Sequence, residues 1–369
     1  MIARGEPVVD LISGNVTAQG LQYPPSILER ILVNASRAAR VYRPHPLGQA
    51  EAREAISAYY RSQGVTIPAG RIVLTPGTSL AYWYAFSVLC DPGDEILAPR
   101  PSYPLCVEIA RAAGIHLVPY RLDESRGWAI DVDDLEAHVS HRTRAIILIS
   151  PHHPTGAVVN TAELEAIAEI ASRRRLPMIA DEVFGEFLFG LDALPRPAAT
   201  RAPLVITLNG FSKLFALPGI KLGWMALSGD EALVAPVMTA LESLSDAFLP
   251  VNETVQAAVP EIFRHGEEFL PTYRREIANR RDATLRGLAA APGLTIVPPC
   301  GGFYVAARVT SLTLPDDEAL AIHILQSTGC LVHPGFFYDL DPTHLVLSMV
   351  SDSAVSGPAL QRVVAALSG

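Results

Sequence analysis

Cysteine is scarce in this chain: Cys90, Cys106, Cys300 and Cys330 are the only four in 369 residues, far apart and without metal-ligand spacing. That excludes a clustered zinc site and a disulfide framework, so buried free thiols are expected. A basic surface is missing too. The net charge is -9, and the arginines are scattered apart from the run Arg173 to Arg175, which suits the C-terminal end of an expected helix. Nucleic acid is therefore not an expected partner. No window reaches the roughly 20 consecutive apolar residues of a membrane span. Met1 to Pro7 also lack the apolar stretch of a signal peptide, so a cytoplasmic protein without membrane contact is expected. The sequons at Asn15, Asn34 and Asn252 are then chance matches. Internal repeats, low-complexity tracts and long linkers are absent.

What the chain has is apolar content, 49% hydrophobic against 18% charged residues, over a length that supports a sizeable core and one or two domains. Short apolar runs alternate with helical periodicity, which predicts an α/β fold. Seven strands are expected: Arg71 to Thr75, Glu95 to Ala98, His116 to Tyr120, Ala145 to Ile149, Met178 to Ala180, Leu204 to Leu208 and Leu222 to Leu227. Several are apolar throughout, as a sheet covered on both faces requires. Asn160, with Glu163 three residues on and Leu164, Ile167, Ala168 and Ala171 on one face, predicts a crossover helix between the fourth and fifth. After about residue 250 come a long polar helix over Thr272 to Leu288, a Pro292-Gly293 break and short strands near Thr295 to Val297 and Phe303 to Ala307. These predict a smaller C-terminal domain.

In open α/β sheets ligands bind at the carboxyl ends of the strands, and five segments bring chemically useful residues to that edge. Lys213 follows the strand Leu204 to Leu208 among small and hydroxylic residues. An amine whose surroundings favour the neutral form is a nucleophile, and lysine is the side chain that condenses with a carbonyl cofactor. Ser212 and Lys221 add a hydroxyl and a cation suited to phosphate. The run Thr75 to Ser79 reads either as a phosphate cradle at a helix N-terminus or as a capped helix start. Tyr103, fixed between two prolines, either stacks on a flat ring or packs its own turn. The adjacent His152 and His153 have no nearby carboxylate to complete a metal site, so one imidazole reaching a ligand is the expected use. Asp181 follows a short buried strand and is either a helix N-cap or a carboxylate in need of a cation, because an unpaired buried charge is costly. A protonated ring nitrogen would serve.

In this order the segments resemble the class I and II pyridoxal-phosphate-dependent aminotransferases, the aspartate-aminotransferase-like fold type I. The resemblance spans nearly the whole chain. It rests on Tyr42 to Gly48 with Ala52 to Ile56, the Gly77-Thr78-Ser79 and Pro154-Thr155-Gly156 loops, Asp181, Ser212-Lys213, Gly301 to Tyr304, Pro334-Gly335 with Phe337, and Leu345 to Ser348. It implies a large cofactor domain over residues 43–250, with a mixed, mostly parallel seven-stranded sheet flanked by helices. A smaller α+β domain would comprise residues 1–42 and 251–369, with an N-terminal arm. The implied cofactor is pyridoxal 5'-phosphate, attached at Lys213, which would also carry the proton at the substrate carbon. Asp181 would keep the pyridine nitrogen protonated, so that the ring draws electrons from that carbon. Tyr103 would stack on the ring. Gly77, Thr78, Ser79, Ser212 and Lys221 would bind the phosphate, and Tyr42 would reach it from the partner subunit of a homodimer.

Four positions depart from the family's usual pattern. His153 stands where an asparagine precedes Pro-Thr-Gly, and Phe184 where a tyrosine follows the aspartate by three residues. Both usual partners of the cofactor's phenolic oxygen are thus replaced. His153 is the candidate for that hydrogen bond, worth about 0.5 to 1.5 kcal/mol net. Lys221 replaces the usual phosphate arginine, keeping the charge but losing the bidentate fork. Val346 falls where an arginine clamps the substrate α-carboxylate. In that register the substrate either lacks a carboxylate or has it held by another cation, Arg43, Arg100, Arg308 or His152. The implied activity is amino transfer between a donor and a carbonyl acceptor, a small-molecule amine or amino acid, with an atypical substrate. The alternative is a lyase, decarboxylase or carbon-carbon bond-forming enzyme, because the scaffold fixes the electron sink while the pocket decides which bond breaks. A cofactor-binding regulator would need an appended DNA-binding module, for which the residues before Tyr42 are too few.

Overall fold

The computed structural model describes residues 8–289, 291, 293–310, 314–341 and 343–367. Met1 to Pro7 and the expected break at Pro292 lie outside the described residues. All seven expected strands form, and they share one sheet. Its order runs Ile72–Thr75, Gly223–Gly229, Leu204–Gly210, Met178–Asp181, Thr143–Ile149, Glu95–Arg100, His116–Asp123, and then Ala129–Ile130, a two-residue eighth strand at the edge. Gly223–Gly229 is antiparallel to both neighbours, and Ala129–Ile130 is antiparallel to His116–Asp123. The remaining pairs are parallel. Each parallel step needs a crossover, which supplies helices to cover the faces. Side chains of Thr143–Ile149 alternate accordingly: Ala145, Ile147 and Ile149 join a cluster with Tyr84 and Phe86, whereas Ile146 and Leu148 join one with Leu164 and Ile167.

The helix Thr161–Arg174 starts as its sequence predicts. Asn160 Oδ1 accepts from the Glu163 N–H at 3.0 Å, and Glu163 Oε2 accepts from the Asn160 N–H at 2.8 Å. The later helix is longer than expected, Glu253–Leu288 instead of Thr272 to Leu288. Pro260 and Pro271 lie inside it, and they hide its first half from a sequence reading. Packing sustains that half: Ala258, Val259 and Ile262 are buried against Phe211 and Phe215.

A four-stranded antiparallel sheet follows, in the order Leu294–Ile296, Tyr304–Val309, His344–Ser348, His333–Pro334. Near the N-terminus, Val9–Asp10 pairs in parallel with Cys330–Leu331. The Ser348 N–H donates to Leu11 O at 2.7 Å, and its hydroxyl donates to Ser13 O at 2.9 Å. These bonds tie residues 11–13 to the smaller sheet and deliver Gly14 to the edge of the large one. No helix among the described residues is long and apolar enough to cross a membrane.

Candidate active site

Ile149, Asp181 and Leu208 are cross-strand neighbours at the carboxyl edge of the large sheet, and Thr75, Gly223 and Gly210 are neighbours farther along it. Residues that follow these strands therefore converge. They line a cavity of about 220 Å³ whose wall includes Thr78, Ser79, Tyr103, His153, Asp181, Phe184, Ser212 and Lys213, joined by Tyr82 and Tyr304.

Asp181 is buried, and a turn follows it, so it caps no helix. Its Oδ1 accepts from the Val183 N–H at 3.1 Å and its Oδ2 from the Tyr82 hydroxyl at 2.8 Å. Both bonds favour the charged form, yet burial outweighs them and pushes the pKa up to about 6. A carboxylate in this state gains most from a cation brought to it. Lys213 sits in the four-residue helix Phe211–Leu214. Its Nζ donates to Gly14 O at 3.3 Å and lies 5.8 and 5.7 Å from the ring centres of Phe184 and Phe303. Burial lowers its pKa, which raises the share of nucleophilic amine.

The cradle segment turns at Gly77, whose φ of +121° is a conformation that glycine tolerates, and the helix Thr78–Leu89 follows without a side-chain cap. Gly77 packs directly on Gly223, where a Cβ would lie 2.9 Å from its Cα. His153 stands in a shell of rings: Tyr304 at 4.0 Å, Tyr103 at 4.9 Å and, stacked, Phe184 at 6.2 Å between centres. Burial, and after it the charges of His152, Lys213 and His333, hold its pKa well below the ordinary value, so the ring is neutral. Its Nδ1 is buried without a hydrogen-bond partner. His152 serves another purpose: Nδ1 lies 2.9 Å from Thr155 Oγ1, burial lowers its pKa to about 3, and it lines a separate cavity with Trp128.

An orphaned imidazole nitrogen, a buried carboxylate, a desolvated amine and an uncapped helix N-terminus around one cavity fit the four polar features of pyridoxal phosphate. Three expected residues are not among those lining the wall: Gly77, which precedes Thr78 in the turn, Tyr42 and Lys221. Tyr42 is 70% exposed, in a groove with Leu249. Lys221 is exposed in a left-handed turn, φ +54°, two residues before Gly223. Arg43 and Arg100 are exposed, and Arg308 lies 3.5 Å from Glu124. Among the described residues lining the cavity, Lys213 is the one cation and none is arginine. Val346 is 1% exposed, in the hydrophobic cluster that holds Ala306 and Tyr338 and packs against Tyr304.

Sequence reasoning gave no site role to Tyr82, Tyr304 or Gly14. Tyr82 had a signal, three residues past Ser79 on one helix face. A further signal is scarcity: the chain has two lysines in all, Lys213 and Lys221.

The family model described as aminotransferase class I and II matches residues 6–363. The glutamate-pyruvate aminotransferase AlaA of Haemophilus influenzae is 31% identical over 350 residues, 92% of this chain and 85% of that protein. The alanine aminotransferase of Mycobacterium bovis is 29% identical over 98% of this chain and 86% of its own length. Among solved structures, the alanine aminotransferase from Pyrococcus furiosus superposes with a TM-score of 0.94 at 27% identity, covering 100% of this chain and 94% of that one. A match of this extent, over a cavity of this chemistry, makes the chain a member of the class I and II aminotransferases, transferases that work with pyridoxal 5'-phosphate.

Proposed function

We propose that this aminotransferase acts on an amine, or on the matching carbonyl compound, that carries no α-carboxylate. The observation that carries this reading is the cavity wall, which has a lysine and an aspartate but no arginine among its described residues, with Val346 buried behind Tyr304 and Tyr338. Carboxylates are held by bidentate guanidinium groups, and a valine offers none.

Bound pyridoxal phosphate supplies an aldehyde for the incoming amine and a ring that accepts the electron pair released at the substrate carbon. Asp181, oriented by Tyr82 and the Val183 N–H, supplies the negative charge that keeps the ring nitrogen protonated. Lys213 would hold the cofactor's aldehyde carbon and serve as the base and acid for the proton at the substrate carbon, a task suited to an amine with a lowered pKa. Neutral His153, with its Nδ1 unpartnered, would meet the phenolic oxygen. Tyr103 would cover the ring, and Gly77, Thr78, Ser79 and Ser212 would receive the phosphate at the helix N-terminus. Lys221 would add its charge from outside the wall.

The working unit in this reading is a cytoplasmic homodimer with Tyr42 donated across the interface. It is supported by the apolar surface of Val41, Tyr42 and Phe248, 67, 70 and 61% exposed, around the groove that Tyr42 shares with Leu249. Light scattering at micromolar concentration tests it, and a monomer would refute it. Residues 43–250 would form the cofactor domain, and the flanking segments the smaller one.

A second reading, amino transfer between alanine, glutamate and their keto acids, is favoured by the names of the relatives. A half-reaction assay with holoenzyme decides between them. The first reading predicts faster loss of the cofactor's visible absorption with carboxylate-free amines than with L-alanine or L-glutamate; the reverse order would overturn it. Release of carbon dioxide or a carbon fragment without amino transfer would instead favour the lyase alternative.

A further inference from the structure

The turn Gly335–Tyr338 carries the sequence Gly-Phe-Phe-Tyr and is tightly fixed. The Phe336 N–H donates to Asp317 Oδ2 at 2.9 Å, and a Cβ on Gly335 would lie 2.8 Å from that of His344. Tyr338 points inward, its ring 5.4 Å from that of His153 at the cavity wall and its hydroxyl 2.8 Å from His333 Nδ1. From there the series of rings turns outward. His333 packs on Phe337 at 5.4 Å, and Phe337 on Phe336 at 4.5 Å. The last two are 50 and 45% exposed and belong to none of the core clusters, so the fold does not require phenylalanine at either position. Tyr103, 41% exposed, continues the aromatic surface on another side of His153. Neither ring lines the cavity itself, but Tyr338 and His333 join the pair by ring contacts to His153 in its wall, and exposed aromatic surface joined to a site in this way can receive an apolar group. Asp10 acts electrostatically on both Tyr304 and His333, which puts one negative charge near the inner part of this series.

We infer that the substrate's substituent beyond the reacting carbon is a large apolar or aromatic group, seated on Phe336 and Phe337, the outer end of the series of rings that starts at His153. This rests on the reading of the substrate as a carboxylate-free amine. The rings supply flat apolar contact and edge-to-face geometry, and they give no partner to a charged tail.

The test uses holoenzyme and two amines, 4-phenylbutylamine and n-butylamine, and compares their half-reaction specificity constants. The phenyl compound is expected to lead by at least about tenfold, the size of one ring packed on another before any gain from burial. In the double variant Phe336→Ser/Phe337→Ser the ratio should fall to near one. Val355→Ser, which removes an equally exposed apolar side chain from the last helix, should leave it unchanged. A wild-type ratio near one, or a ratio that survives the double substitution, overturns the inference. So does conversion of the double variant to a monomer, which would make the pair a subunit contact. If L-alanine reacts and neither amine does, the reading of function fails instead. The same ratio between L-phenylalanine and L-alanine then decides whether the rings bind substrate.

Discussion

Asp181 should destabilise the cofactor-free protein that it serves. Burial raises its pKa from 3.8 to about 6, so the folded chain holds a proton that the unfolded chain has already released between those two values. Folding stability therefore falls as pH rises through this window, and the loss is complete above about pH 6. A rise of about two units corresponds to roughly 3 kcal/mol at neutral pH. Asp181→Asn keeps the shape and an acceptor for the Val183 N–H but removes the charge. In cofactor-free protein it should be more stable than wild type by about 2 to 3 kcal/mol at pH 7, with the difference vanishing below pH 4. With pyridoxal phosphate bound, a protonated ring nitrogen pairs with the carboxylate, and the variant loses its advantage together with its activity. Urea denaturation of both apo proteins at pH 4, 5, 6 and 7 measures the effect. An Asn variant no more stable at pH 7, or a gain that does not change with pH, would refute the assignment of Asp181 as a desolvated carboxylate awaiting a cation.

Tyr82→Phe removes the hydroxyl that donates to Asp181, which should raise the carboxyl pKa further and weaken cofactor retention by roughly tenfold, the worth of a hydrogen bond to a charged group, as read by equilibrium titration of the apo protein. Phe184→Tyr restores a donor near the cofactor's phenolic oxygen, stabilises its negative charge and eases proton loss. A spectral pH titration should therefore show the protonated, visibly absorbing form disappearing at lower pH than in wild type, and an unmoved midpoint would argue against the placement of Phe184. Arg196 forms a buried ion pair with Glu182, both at most 6% exposed, so Arg196→Met strands a carboxylate and should cost about 3 to 5 kcal/mol in urea denaturation. A loss below 1 kcal/mol would mean that the pair is hydrated.

The seven strands were legible because buried strands read as unbroken apolar runs, and the crossover helix because Asn160 and Glu163 form their box locally. The site was legible for a related reason: Asp181, Lys213 and His153 are polar residues placed where apolar strands stop. Long-range events left no such trace. Gly14 reaches Lys213 only because Val9–Asp10 pairs with Cys330–Leu331, more than 300 residues away, and Tyr304 arrives on a strand of the smaller sheet. The first half of Glu253–Leu288 was hidden by prolines whose cost is met by packing on Phe211 and Phe215. Tyr42 rests on resemblance alone and Lys221 on its charge near Lys213 together with resemblance, and within one chain neither lines the cavity.

Borohydride reduction of the holoenzyme, followed by proteolysis and mass spectrometry, tests the covalent role of Lys213 most directly. Lys221 lies eight residues away and serves as the internal comparison. The cofactor mass should be found on Lys213 and be lost in Lys213→Ala, with Lys221 unmodified in both. Cofactor mass on Lys221, or on neither lysine, would contradict the assignment.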